Sequence, residues 1–194
     1  MVKGAIFDLD GTLIDSMFIW DTIPEEYLRS LGKEAKENLS EVFKTFTLEE
    51  VAKFYRNHYD VKISVKEIVE DINNMVAEIY RTKVVLKPGI SDFLERLKSL
   101  GVKMCVATVT DRPIVEDILK RLKIYEYFSE IFTCTEIGCN KETPEIYRQA
   151  VKHLGTKKTE TIVFEDALHA IKTAKADGFV VAAVFQRVSS RQVS

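Results

Sequence analysis

One short stretch near the N-terminus constrains this chain most: an apolar run that ends in two aspartates separated by a single residue. Residues 5–7 (Ala-Ile-Phe) have the pattern of a buried strand, and Asp8, Leu9, Asp10 and Gly11 follow at once. Ionised carboxylates are costly to bury unless they are paired or bind a metal. The stretch therefore predicts a strand that delivers two acids to a functional site at its carboxyl end.

The spacing of the two acids favours a metal ion. Asp8 and Asp10 would point the same way along an ideal strand, but the turn at Gly11 breaks that regularity. One of them can then offer its side chain and the other its backbone carbonyl to the same ion. Mg²⁺ is held in this way by one or two carboxylates, waters and phosphate oxygens. The alternative is that both aspartates are turn or helix-cap residues.

The composition limits the class of protein. With 194 residues, 46% hydrophobic and 30% charged, the chain is an ordinary globular protein. A net charge of −2 gives no reason to expect nucleic acid or a membrane surface as partner. The three cysteines, Cys105, Cys134 and Cys139, do not have the spacing of a disulfide framework or zinc site. Because the sequence shows neither a signal-peptide core nor an apolar run of ~18 residues, we expect a soluble, cytoplasmic protein.

Residues 15–82 have a helical pattern throughout. Ile19, Ile23, Tyr27 and Leu31 recur at every fourth position, which places them on one face of a helix. Two further helices are predicted to begin at capping boxes, at residues 47–50 and 64–67. This block is therefore predicted to be a small helical domain inserted into a larger one.

The rest of the chain alternates between strands and helices. Strands are predicted over residues 5–7, 102–108, 131–135, 161–164 and 180–185, and helices over 90–100, 114–122, 143–155 and 167–176. Such alternation is typical of a parallel sheet covered by helices on both faces. We therefore predict an α/β fold, with a Rossmann-like core formed by 1–14 and 83–194 and a helical insertion over 15–82. The polar tail from 186 to 194 is expected to be loose.

Polar side chains follow four of the predicted strands. In a parallel sheet these positions meet at one edge, and they are Asp8, Asp10, Thr108, Thr110, Asp111, Lys141, Glu165 and Asp166. The set contains what phosphoryl transfer requires: a carboxylate nucleophile, a second carboxylate to carry a proton, a hydroxyl and a cation for phosphate oxygens, and a further acid for a metal.

Each of these residues has a purely structural alternative when it is taken alone. Thr108 has the position of a turn hydroxyl, and a lone lysine such as Lys141 is usually a surface residue. Glu165 and Asp166 could be a charge pair at the N-terminus of the next helix. Asp111 is expected to be a helix N-cap rather than a substrate contact.

Taken together, the motifs resemble those of a known superfamily. Asp8-Leu-Asp-Gly-Thr, then Thr108, then Lys141 in Asn-Lys-Glu-Thr-Pro-Glu-Ile-Tyr, then Glu165-Asp166, are similar in order and spacing to the four signature motifs of the haloacid dehalogenase (HAD)-like hydrolases. The helical insertion after the first motif resembles the cap domain of the β-phosphoglucomutase-like phosphatases of that superfamily. The resemblance covers nearly the whole chain.

The resemblance implies a role for each motif residue. Asp8 would attack phosphorus to form an aspartyl-phosphate, and Asp10 would protonate the leaving alcohol and then deprotonate water. Thr108 and Thr110 would bind the phosphoryl group, and Lys141 would offset the charge of Asp8 and phosphate.

The implied cofactor is Mg²⁺, with Asp8, Asp10, Asp166 and Glu165 as the metal site. Asp10 would bind the ion through its backbone carbonyl, and Glu165 directly or through a water. At position 167 the chain has alanine where relatives often have serine.

Several reactions are known within this superfamily. Asp10 argues against a dehalogenase, and no lysine of the insertion has the apolar context that a phosphonatase requires. A sugar-phosphate mutase would be expected to carry a histidine shortly after the first motif, where residues 16–20 have none. The sequence thus predicts an enzyme, a Mg²⁺-dependent phosphatase acting on a small phosphorylated metabolite. The alternatives are a β-phosphoglucomutase-like mutase and a non-catalytic phosphate-binding module.

Overall fold

The structure, a computed structural model, describes residues 1–43 and 46–185. The chain divides into two compact units, one formed by Met1–Ser16 with Val84–Ser194 and the other by Met17–Lys83. The expectation that the tail from 186 to 194 is loose lies outside the described residues.

A parallel sheet of five strands forms the centre of the first unit. Its strands are β1 (Gly4–Phe7), β4 (Lys103–Thr108), β5 (Ile131–Thr133), β6 (Thr161–Glu165) and β7 (Val180–Ala183), in the order β5-β4-β1-β6-β7. The helices of this unit are α5 (Ile90–Ser99), α6 (Arg112–Arg121), α7 (Cys134–Ile137), α8 (Glu145–Leu154) and α9 (Leu168–Ala176). The prediction of an α/β fold with a Rossmann-like parallel sheet is confirmed.

The central strand β1 fixes where the first motif lies. Gly4 to Phe7 pair in parallel with Lys103 to Val106 of β4 on one side and with Thr161 to Phe164 of β6 on the other. The carboxyl ends of these three neighbouring strands therefore meet at one edge of the sheet, which is where open α/β sheets bind their ligands.

The two faces of the sheet are packed differently. On one face Ile6, Cys105 and Val163 pack with Tyr147 and other residues of α8. On the other face the ring of Phe7 stacks on that of Phe164, with centroids 4.6 Å apart and planes 6° from parallel. Residues along a strand alternate between the two faces of the sheet, so apolar packing covers the strands on both sides. The polar groups of the first motif lie beyond this packing, where the strands end.

The second unit consists of helices α1 (Phe18–Ser30), α2 (Leu39–Val42), α3 (Leu48–His58) and α4 (Val65–Thr82). Both predicted capping boxes are present. The side-chain hydroxyls of Thr47 and Ser64 each accept a hydrogen bond from the backbone amide three residues on, and their own backbone amides donate to the carboxylate of that residue, a glutamate in both cases. The buried hydroxyl of Tyr55 donates to the carbonyl of Pro24 at 2.8 Å. None of the helices in the described part of the chain combines the length and apolar character that a membrane span requires.

Local differences between the structure and the sequence prediction include two element boundaries and one additional pair of strands. The third strand of the sheet ends at Thr133 rather than at residue 135, because Cys134 begins the short helix α7. Helix α8 begins at Glu145, with Pro144 at its N-cap position, and so starts two residues after the predicted start at residue 143. A two-stranded antiparallel ribbon, β2 (Ile14–Asp15) with β3 (Val85–Leu86), was not predicted, since two residues are too few to show a strand pattern.

Candidate active site

The turn after β1 sets the positions of the two aspartates. The amide of Asp8 donates to the carbonyl of Phe164 at 3.0 Å, which continues the pairing of β1 with β6 by one residue. Gly11 then adopts a φ of +76°, a conformation that glycine reaches at little cost, and its amide donates to the carbonyl of Ile14. Asp8 is buried and Asp10 is partly buried, so the two carboxyls have different surroundings.

The ammonium of Lys141 lies between two buried carboxylates. Lys141, in the loop between α7 and α8, donates to Oδ1 of Asp8 and, at 2.8 Å, to Oε2 of Glu165. The side chains of these three residues are at most 6% exposed. A lysine is almost never buried without partners, so this arrangement marks Lys141 as part of the site rather than the surface.

Glu165, the last residue of β6, accepts hydrogen bonds at both carboxylate oxygens. Its Oε2 accepts from Lys141 and from the hydroxyl of Tyr147, the latter at 2.9 Å. Its Oε1 accepts from the backbone amides of Asp166 and Ala167 at 3.3 and 3.2 Å. These donors satisfy a carboxylate that is only 1% exposed, and they fix its orientation.

The electrostatics of this cluster favour an additional positive charge. The pKa of Asp8 is raised to about 7, because its burial and the negative charges of Glu165 and Asp10 outweigh the opposing effect of Lys141. The pKa of Lys141 is itself raised, because the attraction of Asp8 and Glu165 outweighs the effect of its burial. Lys141 therefore stays charged, and one ammonium faces several carboxylates.

Three of the carboxylates have the arrangement of a metal site. Asp8, Glu165 and Asp166 each offer an oxygen, and these atoms lie within 4.8 Å of one another. All are hard oxygen donors, the kind that Mg²⁺ prefers in proteins. The donor set therefore fits the divalent cation predicted from the sequence.

Asp10 belongs to a second group of hydrogen bonds. Its Oδ2 accepts from the hydroxyl of Thr110 at 2.6 Å, and its Oδ1 accepts from the hydroxyl of Ser16 at 2.7 Å. The backbone amide of Thr110 donates to the hydroxyl oxygen of Thr108 at 3.1 Å. The second predicted carboxylate is thus held in place by two hydroxyls, and Thr108 lies in the same hydrogen-bonded group.

The loop after β4 is held by an ion-pair network. Arg112 donates to Glu136 through two nitrogens, at 2.6 and 2.9 Å, and to Glu130 at 3.2 Å. Asp111 has the N-cap position of α6 that the sequence predicts, but its side chain makes no capping hydrogen bond and instead accepts from Thr135 at 2.8 Å. These contacts fix the loop that carries Thr110.

The sequence profile of one family extends across nearly all of this architecture. The profile of the haloacid dehalogenase-like hydrolases matches residues 5–184. The chain belongs to this family. It is accordingly a HAD-like hydrolase, as the motifs predicted.

Solved structures share the fold of this HAD-like hydrolase. A provisionally named beta-phosphoglucomutase from Thermotoga maritima matches with a TM-score of 0.88 at 23% identity, covering 98% of this chain and 89% of its own. CbbY from Rhodobacter sphaeroides, solved with phosphate and, as a mutant, with xylulose-1,5-bisphosphate, has a TM-score of 0.71 at 23% identity, with coverage of 98% and 92%. A predicted phosphoglycolate phosphatase from Haemophilus somnus has a TM-score of 0.78 at 21% identity, covering 94% of this chain and 84% of its own. No curated protein matches the chain.

Two residues of the HAD-like site were missed from the sequence. Ser16 follows the first motif by a few residues, and only the turn geometry shows that its hydroxyl reaches Asp10. Tyr147 lies in the motif that contains Lys141, on the apolar face of α8. The tyrosine hydroxyl on this apolar face was the available signal in the sequence, because a buried hydroxyl requires a hydrogen-bond partner.

Proposed function

We propose that the protein is a Mg²⁺-dependent phosphatase that hydrolyses a small phosphorylated metabolite, such as a sugar phosphate, through an aspartyl-phosphate. The observation that best supports this proposal is that the two aspartates at the end of one strand have different hydrogen-bond partners. Asp8 is buried against the Lys141 ammonium, and Asp10 is held by two hydroxyls. Two carboxyls in such different surroundings suit two different roles in one reaction.

In this proposal Asp8 is the nucleophile. Its carboxylate oxygen attacks phosphorus, and the bond to the leaving alcohol breaks. Lys141 offsets negative charge on Asp8 and on the phosphoryl oxygens, and the hydroxyl of Thr108 donates to one of those oxygens. Because Lys141 is fully buried and doubly hydrogen-bonded, its charge is already in position before the reaction begins.

Asp10 carries the proton in both halves of the reaction. It gives a proton to the alcohol oxygen as the bond to phosphorus breaks. It then takes a proton from the water that attacks the aspartyl-phosphate, which releases phosphate and restores Asp8. The hydrogen bonds from Thr110 and Ser16 keep its carboxyl in one orientation for both transfers.

Asp8 and Asp166 would hold Mg²⁺ through their side chains, together with the backbone carbonyl of Asp10. When bound, the ion supplies positive charge that offsets the carboxylates and the phosphoryl oxygens. Glu165 already accepts from four donors, so its part in the metal site is to hold Lys141 and to contact the ion at most through water. The helical unit, residues 17–83, would act as the cap that selects the leaving group.

Hydrolysis of p-nitrophenyl phosphate with and without Mg²⁺ tests the proposal. Asp8→Asn should abolish turnover, and Asp10→Asn should lower kcat by about 10²–10⁴-fold, the usual effect of removing a general acid. Asp117→Asn, an exposed aspartate on α6, is the matched control and should leave the rate unchanged. Full activity in Asp8→Ala, or no Mg²⁺-dependent turnover on a broad panel of phosphate esters, would rule out the mechanism.

A mutase is the second candidate, because the structural relatives include a protein provisionally named a beta-phosphoglucomutase. A mutase must protect its phosphoenzyme from water until a second hydroxyl arrives. Incubation with β-glucose 1-phosphate, followed by ³¹P NMR, separates the two reactions: a phosphatase releases inorganic phosphate, whereas a mutase produces glucose 6-phosphate.

A further inference from the structure

The buried hydroxyl of Tyr147 makes a contact for which the proposed reaction has so far given no role. Tyr147 is the third residue of α8 and is fully buried. Its hydroxyl donates to Oε2 of Glu165 at 2.9 Å, and the same oxygen accepts from Lys141 at 2.8 Å. Tyr147 therefore reaches the catalytic cluster through one intervening carboxylate.

Packing alone does not account for a hydroxyl at this position. The ring of Tyr147 lies among the apolar residues of α8 and the sheet, and it meets Phe179 edge-on with centroids 6.1 Å apart. A phenylalanine would make the same ring contacts without a polar atom to satisfy. What the hydroxyl adds is one hydrogen bond to Glu165.

That hydrogen bond acts on the oxygen that holds Lys141. The backbone amides of Asp166 and Ala167 fix the other oxygen, Oε1, with longer bonds of 3.3 and 3.2 Å. With a donor on each side, the Glu165 carboxylate cannot rotate without losing a buried hydrogen bond, which is costly. Its Oε2 is therefore kept facing Lys141.

The position of Lys141 needs such support. A lysine ammonium is a point charge at the end of a flexible four-carbon chain, and its direction is set by its partners. Here the partners are Asp8, which the proposed reaction converts to an acyl phosphate, and Glu165, which does not change. Glu165 is therefore the partner of Lys141 whose carboxylate stays unmodified through the whole reaction.

We propose that Tyr147 is a positioning residue, which fixes the Glu165 carboxylate so that the Lys141 ammonium stays against Asp8 while the phosphoryl group is transferred. This inference rests on the proposed phosphatase function. Burial and the negative charge of Glu165 raise the pKa of Tyr147, so its hydroxyl remains a donor throughout the pH range of an enzyme assay.

The kinetic test removes only the hydroxyl. With p-nitrophenyl phosphate at saturating Mg²⁺, Tyr147→Phe should lower kcat about tenfold and change KM by less than twofold, since a misplaced charge slows the chemical step. In a Glu165→Gln background the same substitution should change kcat by less than twofold, because Tyr147 acts through Glu165. Equal losses in both backgrounds, or an unchanged kcat in Tyr147→Phe, would overturn the proposal.

Thr161→Val is the matched control for a lost buried hydroxyl. Thr161 is also fully buried, lies at the opposite end of β6, and donates to the carbonyl of Lys157 at 2.9 Å. Its substitution should lower the thermal stability as Tyr147→Phe does but leave kcat unchanged. A loss of kcat in Thr161→Val equal to that of Tyr147→Phe would show that both effects are general destabilisation.

A second measurement does not depend on turnover. In the metal-free protein the ¹H–¹⁵N signal of the Lys141 ammonium, assigned by its absence in Lys141→Met, should be protected from exchange with water. Tyr147→Phe should broaden or abolish this signal, and Thr161→Val should retain it. If the wild-type protein hydrolyses no phosphate ester, the proposed function is wrong. The Lys141 ammonium signal would still test whether Tyr147 keeps Lys141 in place. An unaltered signal in Tyr147→Phe would overturn that placement.

Discussion

The hydroxyl of Thr110 donates to Oδ2 of Asp10 at 2.6 Å, although 100 residues separate the two in the chain. The contact exists because β1 and β4 are neighbours in the sheet and both end at the same edge. From the sequence, Thr110 was predicted to bind phosphate. The observed bond links it to the carboxyl proposed as the proton carrier, and its role toward phosphate stays a prediction.

Thr110→Val should separate these two roles. If Thr110 orients Asp10, its loss should lower kcat by about ten- to hundredfold with little change in KM, as expected when a reacting group is misplaced. If it binds the phosphoryl group of the substrate, KM should rise instead. Steady-state kinetics with p-nitrophenyl phosphate distinguish the outcomes. Thr173→Val is the control, because the hydroxyl of Thr173 donates only to the carbonyl of His169 within α9 among the hydrogen bonds described. Its kcat and KM should equal those of the wild type.

Lys141→Met should lower both activity and stability. The substitution leaves Asp8 and Glu165 buried without their shared cation, and breaking a buried pair in this way costs about 3–5 kcal/mol. Urea unfolding followed by circular dichroism measures the loss. Adding Glu165→Gln should recover part of the stability, because it removes one of the unpaired charges. A double variant less stable than Lys141→Met would contradict this account of the cluster.

The fold was largely predictable because its signals are local. The strand ending at Asp8 and the capping boxes at Thr47 and Ser64 are short patterns that tertiary contacts did not overrule. Boundaries were less predictable. Cys134 lies in an apolar run that suits a strand, but the side chain of Thr133 accepts from the amide of Glu136, and this cap starts a helix one residue later.

The sequence predicted which motif residues lie together in the candidate site, but it did not predict the hydrogen bonds that their neighbours make to them. The order of the motifs placed Asp8, Lys141 and Glu165 at one sheet edge, and hydrogen bonds join them there. The contacts made by Tyr147 and Ser16 depend on side-chain direction across the fold, which no spacing along the chain encodes. The structure therefore supplies the partners of these two residues.

Asp177 should stabilise the first unit in a pH-dependent way. Arg148 and Lys158 both donate to its carboxylate, which is 10% exposed, and they lower its pKa to about 2. A pKa that is lower in the folded than in the unfolded protein adds stability above pH ~4, and this is lost as the pH falls toward about 2. Asp177→Asn should therefore cost about 1–2 kcal/mol at pH 7 and progressively less below pH ~4.

Urea unfolding of the wild type and of Asp177→Asn at pH 7, 5 and 3 measures that difference. Asp117→Asn serves again as the control, because its side chain is exposed. The difference between the wild type and Asp177→Asn should be the same at pH 7 and 5 and smaller at pH 3. A difference that persists undiminished at pH 3 would show that hydrogen bonding, and not charge, accounts for the effect.

Mg²⁺ should change the pH dependence of the reaction through Asp8. Burial raises the pKa of Asp8 to about 7 in the metal-free protein, and a protonated carboxyl cannot attack phosphorus. At limiting Mg²⁺, kcat/KM should therefore rise with pH through about 7. A nearby divalent cation favours the ionised form, so saturating Mg²⁺ should move this rise to lower pH by about one unit or more. Profiles of kcat/KM from pH 5 to 9 at both Mg²⁺ concentrations measure the shift. The substrate's own ionisation contributes equally to both profiles, so a rise that stays at the same pH would mean that Asp8 is not the group whose ionisation Mg²⁺ controls.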